Sequence, residues 1–236
     1  MARTVLVTGA GRGLGYSLTK KHLDIGDKVY ALYRTLTDEL KNLAAASEGL
    51  KIYHCDVAST ESVTEAARNL LAGEKKLDII YNNAGVYRFD AKTGLEHTDI
   101  DAGLEMININ ALGALRICKA LWPLIQKGSL VVNISSEAGS IGGSRRRQEY
   151  CYCMSKAAMN MGAKILSNEL WKRSARVISI HPGWVRTAMG GPDSFASKYS
   201  VSPDESAANI VNIAVNIDDV PRDQMYMSHT GDILPW

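Results

Sequence analysis

Tyr152 and Lys156 stand four positions apart within EYCYCMSK, residues 149–156. On an α-helix that spacing stacks both side chains on one face. A phenol beside an ammonium is a proton-transfer pair, because the positive charge favours phenolate and draws the tyrosine pKa down from ~10 toward the working range. Tyr150 lies six positions before Lys156, roughly 240° around a helix that turns ~100° per residue, so it shares that face only if the helix begins later. Cys151 and Cys153 diverge by about 200° and lack Cys-x-x-Cys spacing. No second pair completes four ligands, so the expectation for them is small apolar packing and no metal.

Other polar residues could complete such a site. Ser136 closes VVNISS, where a hydroxyl can donate to a substrate oxygen that gains negative charge. Ser135 is the alternative, since neighbouring strand residues point to opposite faces. Asn110, in the helical stretch ININ, is a candidate organiser of a water relay to Lys156. A plain bending or capping role for Asn108 or Asn110 stands beside that reading.

A second chemistry is suggested near the start. TGAGRGLG places Gly9, Gly13 and Gly15 between a strand pattern and a helix pattern. Such a turn admits a pyrophosphate to the backbone, and the helix N-terminus supplies N–H donors. The spacing is Gly-x-x-x-Gly-x-Gly, not the Gly-x-Gly-x-x-Gly fingerprint, although Gly11 adds an overlapping Gly-x-Gly; a merely tight turn is the alternative. Strand two ends in ALYRT, with Arg34 and no acid. An acid there would suit the ribose of NAD, whereas Arg12 and Arg34 suit a 2′-phosphate, so NADP(H) is expected over NAD(H), with two solvated surface arginines as the alternative.

These residues need elements to position them. TVLVTG, KVYALY, KIYHCDV, LDIIYNNAG, SLVVNISS, ARVISIHPG and QMYMS read as strands. Between them lie helical patterns, including one long helix over 102–127 that Pro123 bends or ends, the tyrosine helix from Glu149, and PDESAANIVNIAVNI. The βα alternation predicts a doubly wound, Rossmann-type α/β fold: a central parallel sheet of about seven strands flanked by helices, in a single domain over 1–236. The ligand crevice belongs at the C-terminal strand ends.

Composition narrows the classes. The 236 residues are 46% hydrophobic and 22% charged, with a net charge of +2, enough for a sizeable core and unlike a basic nucleic-acid binder or a disordered chain. No apolar run is long enough to span a bilayer, no signal peptide is visible, and four cysteines fit a reducing compartment, so a cytoplasmic location is expected.

TGAGRGLG, NNAG, INALG, NISS, YCMSK and HPGWVRT, in that order from Thr4 to Trp236, resemble the short-chain dehydrogenase/reductase family. HTGDILPW, HPGWVRTAMGG and the SPDESA helix are similar to the small carbonyl reductases akin to the C-factor and sniffer proteins. The resemblance implies an active site of Asn110, Ser136, Tyr152 and Lys156. It also implies that Gly9, Arg12, Gly13 and Leu14 contact the dinucleotide, that Asp56 and Val57 lie at the adenine, and that Asn83, Ala84 and Gly85 line the nicotinamide-side ribose. Lys156 would hold that ribose beside Tyr152, with Pro182, Gly183 and Val185 near the nicotinamide and Thr187 on its carboxamide. The implied reaction is hydride transfer to a carbonyl carbon with Tyr152 giving its proton to the oxygen, and a small-molecule carbonyl or alcohol as partner. An alcohol dehydrogenase running toward oxidation and a dinucleotide-binding signalling protein are the alternatives. Homo-oligomer and monomer both stay open.

Two departures bear on substrate. Ser136 and Tyr152 are 16 positions apart, where the family commonly has about 13, and the excess carries Arg145, Arg146 and Arg147. These arginines either recognise a substrate carboxylate or phosphate or form a solvated, salt-bridged loop. The segment after Thr187 is short and suggests an open site, with Met189, Phe195 and Tyr199 either touching substrate or fastening the loop.

Overall fold

The computed structural model describes residues 2–88 and 94–236. In chain order the elements are β1 (Thr4–Thr8), α1 (Gly13–Asp24), β2 (Lys28–Tyr33), α2 (Asp38–Ala46), β3 (Leu50–His54), α3 (Thr60–Gly73) and β4 (Ile79–Asn82). There follow α4 (Ala102–Ile107), α5 (Gly113–Ala120), β5 (Leu130–Ile134), α6 (Tyr150–Leu170), β6 (Arg176–His181), β7 (Trp184–Val185), α7 (Pro192–Ala196), β8 (Ser200–Val201), α8 (Pro203–Val215) and β9 (Tyr226–Ser228). Among the described residues, seven strands form one sheet in the order β3-β2-β1-β4-β5-β6-β9. Every neighbouring pair in it is parallel. The expected doubly wound architecture is therefore present.

Strand alternation explains the two cores. Val5 and Val7 face one layer with Leu18, Leu40 and Ile210, while Leu6 faces the other with Val63, Ile117 and Leu166. Both sheet faces are covered, so the strands read as nearly continuous apolar runs. The order reverses between β1 and β4, and the crevice opens at their C-terminal ends, as in other open α/β sheets.

The long helix differs from the expectation of one helix over 102–127. α4 and α5 are joined through a π-helical turn, Asn108–Leu112, and α5 ends at Ala120, with Pro123 in a separate short turn, Trp122–Leu124. A π turn is rarely signalled by periodicity and is common at functional sites. Asn110 supplies its physical cause here: its side chain bonds both backbone polar groups of Val86 beyond β4, tying the helix to the crevice floor.

Candidate active site and dinucleotide cleft

One cleft of about 1090 Å³ runs across the strand ends, and all but one of the sequence-predicted site residues line it. The exception is Asn110, which is fully buried beneath the wall.

At one end the walls are largely backbone. Gly9 has φ 65° and its Cβ would lie 2.8 Å from Ala84 Cα, while a Cβ on Gly15 would lie 2.3 Å from the Gly9 carbonyl oxygen. Only glycine lets α1 and the β4 exit approach the turn this closely. Asn83 Nδ2 donates to the Thr8 and Gly9 carbonyls, and Thr8 Oγ1 accepts from the backbone N–H groups of Asn83 and Ala84. Thr37 donates to the Gly11 carbonyl at 2.6 Å, fastening the turn to the exit of β2. Sequence reasoning missed Thr8 and Thr37, whose hydroxyls carry no spacing signal. Arg12 occupies the N-cap of α1 without a side-chain cap bond, so the first N–H groups of that helix keep their capacity for an anion. Arg12 and Arg34 line this end, and the Asp56 carboxylate is engaged by the Ala58 N–H at 2.9 Å.

At the other end the side chains converge. Both serines line the cleft, but the Ser135 hydroxyl donates to the buried Asn160 at 2.8 Å, whereas the Ser136 hydroxyl lies beside Glu137. Ser136 Oγ donates to Glu137 Oε2 at 2.7 Å, and Ser136 and Tyr152 both line the cleft. α6 begins at Tyr150, so Tyr152 and Lys156 share the inward face and Tyr150 is 40% exposed. Lys156 Nζ donates to the Ile134 carbonyl at 2.9 Å and lies 5.9 Å from the Tyr152 ring centre. Asn110 also donates to Ser155 Oγ at 2.9 Å, so its amide fixes α6 to the β4 exit. Cys151 packs on Met106 beneath Val86, Tyr87 and Tyr152, as expected of a small apolar residue.

The electrostatics reverse one expectation. Burial pushes Tyr152 up to about 12; the Ser136 hydrogen bond works downward and the Glu137 charge upward. Burial also lowers Lys156 to about 8. The ammonium is itself desolvated and does not draw the tyrosine down, so the phenol keeps its proton at neutral pH.

The loop before α6 is ordered by charge. Arg146 pairs with both Glu137 and Glu149, and Tyr87 donates to Glu149 at 2.5 Å while standing edge-on to Tyr152 at 4.8 Å. Glu149 sits at φ 67° just before α6, a conformation strained for a non-glycine residue and held here by two partners. Arg145 and Arg147 are exposed and outside the cleft lining. Glu137, Glu149, Tyr87 and His181 were not singled out by sequence, because residue type and spacing do not show that they meet at the cleft. Beyond Thr187, Met189 lines the cleft, but Phe195 and Tyr199 are 63% and 78% exposed and lie outside its lining.

Residues 3–197 match the short chain dehydrogenase family. The chain belongs to that family. It is accordingly an oxidoreductase of the NAD(P)H-dependent kind. The "1-hydroxy-2-glutathionyl-2-methyl-3-butene dehydrogenase" of Rhodococcus sp. (strain AD45) is 35% identical over 99% of each chain. Among solved structures, the NADPH-bound carbonyl reductase from chicken fatty liver superposes with TM-score 0.89 at 28% identity, covering 100% of this chain and 99% of that one. The carbonyl reductase Sniffer of D. melanogaster gives TM-score 0.89 at 25% identity, with 100% of both chains covered.

Proposed function

We propose that this short-chain dehydrogenase is an NADPH-dependent carbonyl reductase, of the sniffer-like kind, in which Tyr152 is the proton donor. The observation that carries the reading is a half-buried tyrosine lining the cleft beside Ser136 and one helical turn from a buried Lys156, its phenol pKa pushed up by burial. An acid at the reacting oxygen must hold a proton before it can give one.

The glycine turn and the uncapped start of α1 fit a dinucleotide, and the resemblance to an NADPH-bound reductase supports the same assignment. Arg12 and Arg34, with no carboxylate at the end of β2, support a 2′-phosphate over a bare ribose hydroxyl. When bound, the cofactor supplies a hydride to the carbonyl carbon. Tyr152 gives its proton to the carbonyl oxygen, Ser136 donates a hydrogen bond to the same oxygen, and Lys156 holds the ribose and stabilises the phenolate as it forms. Asn110 positions α6 through Ser155 and the floor through Val86.

The Rhodococcus relative is named as a dehydrogenase of a hydroxy compound, which favours oxidation as a second reading; the same groups run in reverse, with Tyr152 accepting the alcohol proton. The exposed Leu104, Leu115, Met161 and Ile165 on α4, α5 and α6 support a homo-oligomer, which sedimentation at graded concentration tests.

Tyr152→Phe keeps shape and removes the proton. Turnover of aldehydes and ketones should fall by about a hundredfold to ten-thousandfold while NADPH affinity, followed by nicotinamide fluorescence, is retained. Full turnover by the phenylalanine variant would overturn the assignment.

A further inference from the structure

The substrate wall of the cleft carries an ion-pair arrangement that the glycine turn and the tyrosine helix do not require. Arg146 joins Glu137, next to the active serine, to Glu149, at the start of α6. The two acids are not equivalent. The Glu149 side chain is 8% exposed and held by Tyr87, whereas that of Glu137 is 45% exposed and lines the cleft. Burial raises the Glu137 pKa, but His181, the Ser136 hydroxyl and Arg146 together bring it below the usual carboxylate range, so it is ionised at neutral pH.

Arg146 is shared between two carboxylates, so it does not compensate Glu137 alone. Lys156 and Arg186 line the same cleft, but their N–H groups are bonded to the Ile134 carbonyl and to Ser200 and not to Glu137. His181 Nδ1, 3.4 Å from Glu137, makes no hydrogen bond, and burial lowers the ring's pKa. Arg12 and Arg34 belong to the opposite, glycine-turn end.

We propose that Glu137 is a specificity-determining residue that favours carbonyl substrates bearing a positive charge or a hydrogen-bond donor beside the carbonyl, and disfavours carboxylates. The inference rests on the carbonyl-reductase reading of the same site. Two physical effects act together. A substrate carboxylate beside the carbonyl comes against the cleft-facing Glu137 carboxylate, whose partner Arg146 is shared with Glu149. Ser136 also has a single hydroxyl proton, and Glu137 takes it at 2.7 Å. A substrate donor placed beside the carbonyl satisfies Glu137 in place of Ser136 and frees that proton for the carbonyl oxygen. A carboxylate has no proton to offer.

The test uses phenacyl ketones that differ only in carrying a trimethylammonium, hydroxyl, tert-butyl or carboxymethyl group. Comparing kcat/KM ratios between the wild type and Glu137→Gln cancels the intrinsic reactivity of each ketone. The trimethylammonium-to-carboxylate ratio should fall by about fivefold to tenfold in Glu137→Gln, the scale of one partly screened charge contact. It should rise in Arg146→Met, and the hydroxyl compound should lose its advantage over the tert-butyl compound in Glu137→Gln. In the wild type, added salt should shrink the charge preference, a readout that needs no variant to fold. Turnover of the tert-butyl ketone with ratios unchanged by Glu137→Gln, or a wild-type preference indifferent to salt, would overturn the selection alone. No NADPH oxidation with any member would overturn the reductase reading and the selection with it.

Discussion

The two ends of the cleft are built from different materials. At the dinucleotide end, backbone approaches backbone: Gly9 against Ala84, Gly15 against the Gly9 carbonyl, and Thr37 onto the Gly11 carbonyl. At the substrate end, side chains hold side chains: Ser136 to Glu137, Glu137 to Arg146, Arg146 to Glu149, and Glu149 to Tyr87. A backbone-built site tolerates no added atoms but is indifferent to pH. A site of paired side chains can be retuned one residue at a time, and it titrates. One end therefore suits a ligand that stays the same, and the other a substrate that differs between relatives.

Adding atoms at the backbone end gives the sharpest contrast after Tyr152→Phe. Gly9→Val forces a β-branched residue to φ 65° with its Cβ 2.8 Å from Ala84 Cα. Strain and overpacking of about 1–3 kcal/mol should appear in thermal unfolding. As the same strain displaces the phosphate-facing turn, cofactor affinity should fall by about tenfold to a hundredfold. Unaltered affinity in a folded variant would remove the claim that backbone approach defines this end.

Arg34→Ala is the milder test there. Loss of a charge-assisted contact to a 2′-phosphate should raise the Kd of NADPH by about tenfold and leave that of NADH unchanged. Equal effects on both nucleotides would sink the 2′-phosphate assignment.

Legibility in the sequence follows the same division. Gly9, Gly13 and Gly15 declare their end of the cleft because a required backbone conformation leaves a residue type at a fixed offset. Tyr152 and Lys156 were legible because helical phase alone puts them together, and the exposure of Tyr150 agrees with that phase. The sheet followed from the βα alternation. The π turn at Asn108–Leu112 was hidden because its cause lies in Val86, far away along the chain. The downward shift expected for Tyr152 failed because burial, invisible in the sequence, outweighs a neighbouring charge. The pairing of Glu137 with Arg146 was hidden too, since residue types show that a loop is charged but not which charges meet.

A pH profile separates the ends without any substitution. Lys156, lowered to about 8 by burial, loses its charge as pH rises through that value, while Tyr152 keeps its proton until about 12. Reduction should therefore be level below about pH 8 and decline above it, with the acid still in place. Lys156 lies at the other end from Arg12 and Arg34, so the decline belongs in kcat more than in the affinity contributed by the phosphate contacts. A profile level well beyond pH 9 would show that the Lys156 charge is not needed.

The smallest effect is expected from Arg145 and Arg147, although the three consecutive arginines first suggested a place for an anionic substrate. Both are exposed and lie outside the cleft lining, whereas Arg146 is folded inward between two carboxylates. Solvated side chains away from the reacting groups contribute little. Replacing both Arg145 and Arg147 with glutamine should change kcat/KM for neutral and anionic carbonyls by less than about twofold. Arg146→Gln, by contrast, leaves Glu149 strained at φ 67° with one partner fewer and should disturb the start of α6, and with it the placing of Tyr152. If the double variant instead lost activity on anionic substrates alone, the loop would be reading substrate charge from outside the cleft, and the division between a fixed end and a tunable end would have to extend beyond its walls.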